Sequence, residues 1–94
     1  MGKITRSQLG EAIGNRLGMT TKDGKKVTNI FFDLMSEFLA EGKSIELRNF
    51  GSFLIRDKRE MVGRNPKTDE KVFIPAKKRV MFRAGKILKK RINE

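Results

Sequence analysis

Three acidic side chains, Asp33, Glu37 and Glu41, recur at four-residue spacing. On a helix such spacing stacks carboxylates along one face, where they could hold a hard cation. They fall opposite the apolar residues of the same segment, however, where acidic groups are simply hydrated, so no metal site is expected. The chain has no histidine and no cysteine. That removes the usual zinc ligands, the usual neutral-pH general base and any disulfide framework. No Ser–His or Cys–His arrangement exists, and the glycines lack phosphate-loop spacing. Neither an enzyme nor a cofactor or small-molecule site is expected.

Positive charge is the feature with chemical reach. Twenty-two Lys and Arg face eleven Asp and Glu, a net charge of +11. Residues 1–47 hold seven basic and six acidic side chains, whereas residues 48–94 hold fifteen and five. A field of this sign attracts nucleic acid or an anionic membrane, and the two halves must do different work. Between residues 57 and 78 lie Lys58, Arg59, Arg64, Lys67, Lys71, Lys77 and Lys78, with few large apolar groups. Flanking β-formers and the turn signal Gly63-Arg64-Asn65-Pro66 make this a long two-stranded ribbon rather than a disordered insert. A cationic ribbon fits a DNA groove and can replace condensed counterions. Pro66 at its tip reads two ways: a residue that fixes a turn, or a rigid apolar wedge that unstacks a base step.

The elements that must carry this ribbon follow from the pattern. Thr5-Arg6-Ser7-Gln8 is a capping box. Leu9, Ala12, Ile13 and Leu17 follow at helical spacing, and Gly18 is a stop. Gly10 and Gly14 inside this helix each cost roughly 1 kcal/mol relative to Ala. Thr20 caps a second helix whose apolar stripe is Val27, Ile30, Phe31, Leu34, Met35, Phe38 and Leu39, and Gly42 ends it. Residues 44–48 alternate as a half-buried strand, Asn49 interrupts, and residues 50–55 form a second. Val80, Met81 and Phe82 return to the core, and residues 83–92 read as a short basic helix.

The 94 residues make one small domain, whose core is too small to hide the second-helix stripe. Without disulfides or metals, oligomerisation is the available cover. No stretch approaches the roughly 18 apolar residues of a membrane span. The N-terminus has neither an apolar signal core nor the myristoylation pattern, which predicts a soluble, cytoplasmic protein.

Three motifs, Asn49-Phe50-Gly51-Ser52-Phe53, Gly63-Arg64-Asn65-Pro66-Lys67-Thr68 and Phe82-Arg83-Ala84-Gly85-Lys86, stand at spacings that resemble the HU/integration host factor family of bacterial DNA-bending proteins. The resemblance covers essentially the whole chain. It implies an α+β fold, with an N-terminal helical hairpin, a small antiparallel β-sheet with a long β-ribbon arm, and a short C-terminal helix, assembled as an intertwined dimer. Residues 1–42 would be the helical dimerisation body, 43–82 the sheet with an arm at about 57–78, and 83–94 the C-terminal helix. Phe31, Leu34 and Phe38 of the stripe would join Phe50, Phe53 and Phe82 in the shared dimer core.

The resemblance also implies an architectural, nucleoid-associated protein that binds duplex DNA in the minor groove and bends it by proline intercalation. Lys3 and the cations Lys86, Lys89 and Lys90 fall where the body or flank meets phosphates. Arg56, Lys58, Arg59, Arg64, Asn65 and Lys67 fall on or beside the arm, as do Lys71, Lys77, Lys78 and Arg79. Pro66 matches the intercalating proline. Glu46 and Arg48, on one face of their strand, resemble a pair that sequence-selective integration host factor subunits use near the minor groove; a solvated ion pair is the alternative. Ile55-Arg56-Asp57-Lys58 and Ile74-Pro75 also resemble integration host factor more than typical HU. Asp69 stands where the family usually has Gly after the tip Thr, and with Glu70 it brings negative charge to the tip.

Two competing functions are open at this point. An RNA- or ribosome-associated protein would use the same charge, and a preference for B-form duplex over A-form RNA separates it. A peripheral membrane protein is disfavoured because the dominant apolar stripe lies opposite an acidic ridge. Homodimer and heterodimer with a paralogue are equally compatible with the sequence.

Overall fold

A computed structural model describes residues 2–94. It contains two compact units, Met1–Ala40 and Glu41–Glu94.

The first unit is a helical hairpin of α1 (Arg6–Leu17) and α2 (Thr21–Ala40). The capping box forms as expected: the Gln8 amide donates to the Thr5 hydroxyl oxygen at 3.2 Å, and the Thr5 amide donates to the Gln8 side-chain oxygen at 2.9 Å. Gly18 ends α1 with φ of 68°, a left-handed conformation that glycine adopts without steric cost. Thr20 caps α2, accepting from the Asp23 amide at 3.1 Å. Asp33 and Glu37 stand exposed on α2, but Glu41 lies beyond its end and pairs with Lys43 at 3.0 Å. The expected row of three carboxylates on one helix therefore does not form.

Gly10 and Gly14, which cost helix propensity, are where the helices touch. Gly10, Gly14, Gly24 and Thr28 are the buried residues of the hairpin. A Cβ on Gly10 would lie 2.7 Å from the Lys25 Cα; one on Gly24 would lie 2.7 Å from the Gly14 nitrogen and would collide with the Gly10 carbonyl oxygen. Close backbone approach has replaced side-chain interdigitation here. The expected apolar stripe of α2 consequently splits. Met35 and Leu39 are half-buried, as is Phe32 outside the expected stripe, whereas Val27, Ile30, Phe31, Leu34 and Phe38 are exposed.

The second unit holds a three-stranded antiparallel sheet in the order β1-β2-β5, formed by β1 (Ile45–Leu47), β2 (Gly51–Lys58) and β5 (Lys77–Ala84). Between β2 and β5 the chain makes a separate ladder of β3 (Met61–Arg64) and β4 (Lys71–Ile74). The ribbon is thus interrupted, with residues 59–60 on one side and 75–76 on the other outside either ladder. Pro75 has no amide to donate, which accounts for the break on its strand.

Two boundaries differ from expectation. Arg83 and Ala84 belong to β5, pairing with Ser52 and Gly51, so α3 is only Lys86–Ile92. Arg48 lies past the end of β1, in a turn closed by the Phe50 amide donating to the Leu47 carbonyl at 3.0 Å. Asn49 takes φ of 68° in that turn, which asparagine tolerates better than most residues.

Among the described residues no apolar side chain is fully buried; Thr28, 2% exposed, is the buried polar one. Gly24→Ala tests the helix contact. If the contact is as tight as the geometry shows, the substitution costs about 1–3 kcal/mol in urea unfolding. Helix propensity alone would make it stabilising by about 1 kcal/mol.

Candidate nucleic-acid interface

The interface starts from the two-residue period of a strand, which sends alternate side chains to opposite faces, while directly paired residues share a face. The register Phe53↔Phe82, Ile55↔Val80 and Gly51↔Ala84, with Ile45↔Phe53 and Leu47↔Gly51, collects apolar residues on one face of the sheet. Phe82 packs against Phe53 at 4.8 Å and Phe50 at 5.7 Å between ring centroids on that side. The complementary register Ser52↔Arg83, Leu54↔Met81, Arg56↔Arg79 and Lys58↔Lys77 puts five cations on the other face. Glu46, opposite Ser52, is the acidic residue of that face. All five cations are exposed, and an Arg79 guanidinium nitrogen reaches the Met81 sulfur at 3.7 Å along the same side.

This register sorts the expected residues. Arg56, Lys58, Lys77 and Arg79 come together. Lys78 departs from them: it sits opposite Asp57 on the apolar-side register, because it is one residue out of phase. Arg83, which the sequence pattern places in the C-terminal helix, joins them as a residue of β5. The alternation Lys77, Arg79, Met81, Arg83 was the signal that could have found it.

The arm continues the charge beyond the break. Arg59 lies in the gap, and Arg64 pairs with Lys71 across the β3–β4 ladder. The tip is a tied loop. The Asn65 amide donates to the Glu70 carbonyl at 2.9 Å and the Asp69 amide to the Asn65 carbonyl at 2.7 Å. The Asn65 side-chain oxygen accepts from the Lys67 amide at 2.9 Å, spanning Pro66. Pro66 stands exposed in this turn. Asp69 takes φ of 57° and its carboxylate meets the Arg64 guanidinium at 3.2 Å.

At the other end of this unit, a shallow groove is lined by Glu46, Arg48, Asn49 and Lys86, among others. The fold thus brings Arg48 beside Lys86. It does not pair Arg48 with Glu46, since no ion pair links them among the described residues. Lys89, Lys90 and Arg91 crowd the last turn of α3, where the helix dipole favours cations. Lys3 precedes α1 in the other unit and is exposed. Among the described residues no group of His, Cys, Asp or Glu is placed to hold a metal, and no helix is long and apolar enough to cross a membrane.

Comparison with known proteins gives the same architecture. A family model described as bacterial DNA-binding protein matches residues 4–93. Integration host factor subunit alpha of Vibrio cholerae is 42% identical over 89 residues, covering 95% of this chain and 91% of that protein. The subunit alpha of Rhodospirillum rubrum is 42% identical over 91 residues, covering 97% and 87%. Among solved structures, an Anabaena HU–DNA cocrystal structure superposes with a TM-score of 0.82 at 31% identity, covering 95% of this chain and 97% of that one. A mutant HU from Thermotoga maritima gives 0.68 at 26% identity, covering 95% and 99%.

The two sheet faces make a direct test. Removing one phosphate contact flattens the slope of log affinity against log salt by about one unit. Arg83→Ala should do this for duplex nucleic acid, per chain, while Lys78→Ala leaves the slope near its parent value. Equal effects would mean that the register does not sort the contacts.

Proposed function

The chain belongs to the bacterial DNA-binding protein family, and from that footing we propose that it bends duplex DNA through the minor groove, as an architectural protein with no catalytic role. The observation that carries this reading is the continuity of chemistry along one path. A cationic sheet face leads into a cationic arm, and the arm ends in an exposed proline held by a hydrogen-bonded loop.

Each part has a physical role. Arg56, Lys58, Lys77, Arg79 and Arg83 would lie along phosphates and displace counterions. Arg59, Arg64, Asn65, Lys67 and Lys71 would follow the groove with the arm. Lys3, Arg48, Lys86, Lys89 and Lys90 would hold the flanking backbone. Pro66 would enter a base step; such a wedge offsets unstacking only where the duplex is kinked. The break at Pro75 divides the arm from the sheet, so the two ladders need not share one plane.

The protein acts as a dimer, with two arms and two prolines. The exposed rings of Phe31, Phe38, Phe50 and Phe82, together with Leu34, support this, since one chain leaves them 44–49% exposed. We take residues 1–94 as one domain in that assembly and place it on bacterial chromosomal DNA in the cytoplasm. A sequence-selective function within the family is favoured by the identity to two integration host factor alpha subunits. A selection of bound duplexes from a random pool would return a consensus for a selective protein and none for a non-specific one.

Pro66→Ala separates bending from binding. It keeps every arm cation and shortens the ring that fills the opened step. Smooth bending of a site costs roughly 1–6 kcal/mol, and unstacking adds a few more. The variant should lose bend angle, measured by end-to-end energy transfer, far more than it loses affinity for a short straight duplex. Undiminished bending would make the proline a turn former alone.

A further inference from the structure

The charge of the arm is not uniform along its length. The shaft carries Arg56, Lys58 and Arg59 on one side and Lys77, Lys78 and Arg79 on the other, against Asp57 and Glu60. Residues 64–71, from one side of the Arg64↔Lys71 rung to the other, hold three cations, Arg64, Lys67 and Lys71, and two anions, Asp69 and Glu70. The segment that must reach farthest into the DNA therefore carries much less net charge than the shaft.

The two anions are not equivalent. Asp69 is fixed by its backbone: its amide donates to Asn65, its φ is 57°, and the ladder pair Arg64↔Lys71 closes beside it. This turns its carboxylate onto Arg64, where one oxygen accepts from the guanidinium at 3.2 Å. The Glu70 carboxylate makes no ion pair among the described residues. Arg64 and Asp69 side chains are 64% and 78% exposed, so their attraction is screened and the pair exchanges readily for another anion.

We propose that Asp69 competes with DNA phosphate for Arg64, and so sets how strongly the tip of the arm is held on the backbone. This deepens the DNA-bending reading above and rests on it. A guanidinium already neutralised by a carboxylate brings no net charge to the duplex. When Arg64 turns to a phosphate, the freed carboxylate remains close by and must be neutralised in turn. The tip therefore gains little from counterion release, and its insertion depends on how easily the base step opens rather than on non-specific attraction. Asp69 in this sense sets affinity: it withholds charge from the tip that carries the wedge.

Asp69→Asn tests this directly. Asparagine accepts the left-handed backbone, so the loop is kept while the charge is lost. One further counterion released per chain steepens the slope of log affinity against log salt by about 0.9, and at 0.1 M salt this amounts to about eightfold in affinity. Glu70→Gln removes the same formal charge without freeing Arg64 and should change the slope less. In an Arg64→Ala background, Asp69→Asn should have no more effect than Glu70→Gln. The ratio of affinities for nicked and intact duplex should stay unchanged in Asp69→Asn, because the freed arginine strengthens both by the same factor. Equal effects of Asp69→Asn and Glu70→Gln, or an Asp69→Asn effect that persists in full without Arg64, would overturn the competition and leave the DNA-bending reading standing. A parent protein whose binding to duplex DNA shows no salt dependence would overturn both.

Discussion

The two helices touch through glycine and threonine, and that choice leaves most of the apolar residues of α2 facing outward. Gly10, Gly14, Gly24 and Thr28 take the only fully buried positions of the hairpin among the described residues. Phe31, Leu34 and Phe38 remain 44–49% exposed, and Phe50 and Phe82 45–46%. A fully buried side chain of this kind contributes about 1.5–3 kcal/mol, so each half-covered ring forgoes about 1 kcal/mol. Net stabilities of small domains are only about 5–15 kcal/mol. Several such rings are therefore a large fraction of what the chain could have. In the proposed dimer a second chain covers them, and the fold then depends on that cover.

That condition shapes the rest. The apolar face of the sheet, with Phe53, Ile55, Val80 and Phe82, can serve a shared core, which leaves the alternate residues of the same strands for charge. One register divides the sheet into an apolar surface and a cationic one. The arm follows a different logic, since a two-stranded ladder has no room for a core. Its β3–β4 pairs Met61↔Ile74 and Val62↔Phe73 leave most of these side chains in solvent. The arm is held instead by ladder hydrogen bonds and by the tied loop around Pro66. Such a structure is well suited to adapt to a groove and poorly suited to stand as a rigid lever by itself.

The parts of the fold that depend on neighbours in sequence were legible. The Thr5–Gln8 capping box, the Gly18 stop, the Thr20 cap and the tip turn each involve residues a few positions apart, and each stands where the residues put it. The departures at the helix glycines and at the end of the last strand are decided by residues distant in sequence. Gly10 and Gly14 read as a cost until Gly24 arrives against them. Arg83 and Ala84 looked like the start of a basic helix, because only pairing with Ser52 and Gly51 makes them strand. Arg48 leaves β1 because Asn49 takes a left-handed turn, which breaks the same-face relation to Glu46. The cationic site was legible as a charge run, but its division into two faces needed the register, which sets Lys78 apart from Arg56, Lys58, Lys77 and Arg79 and adds Arg83 to them.

Sedimentation equilibrium combined with thermal unfolding over a hundredfold range of protein concentration addresses the central claim most directly. If a second chain completes the core, the mass in solution is that of a dimer and the melting temperature rises with concentration by mass action. A monomeric mass with a melting temperature independent of concentration would contradict it, because the outward rings would then be tolerated by a stable single chain.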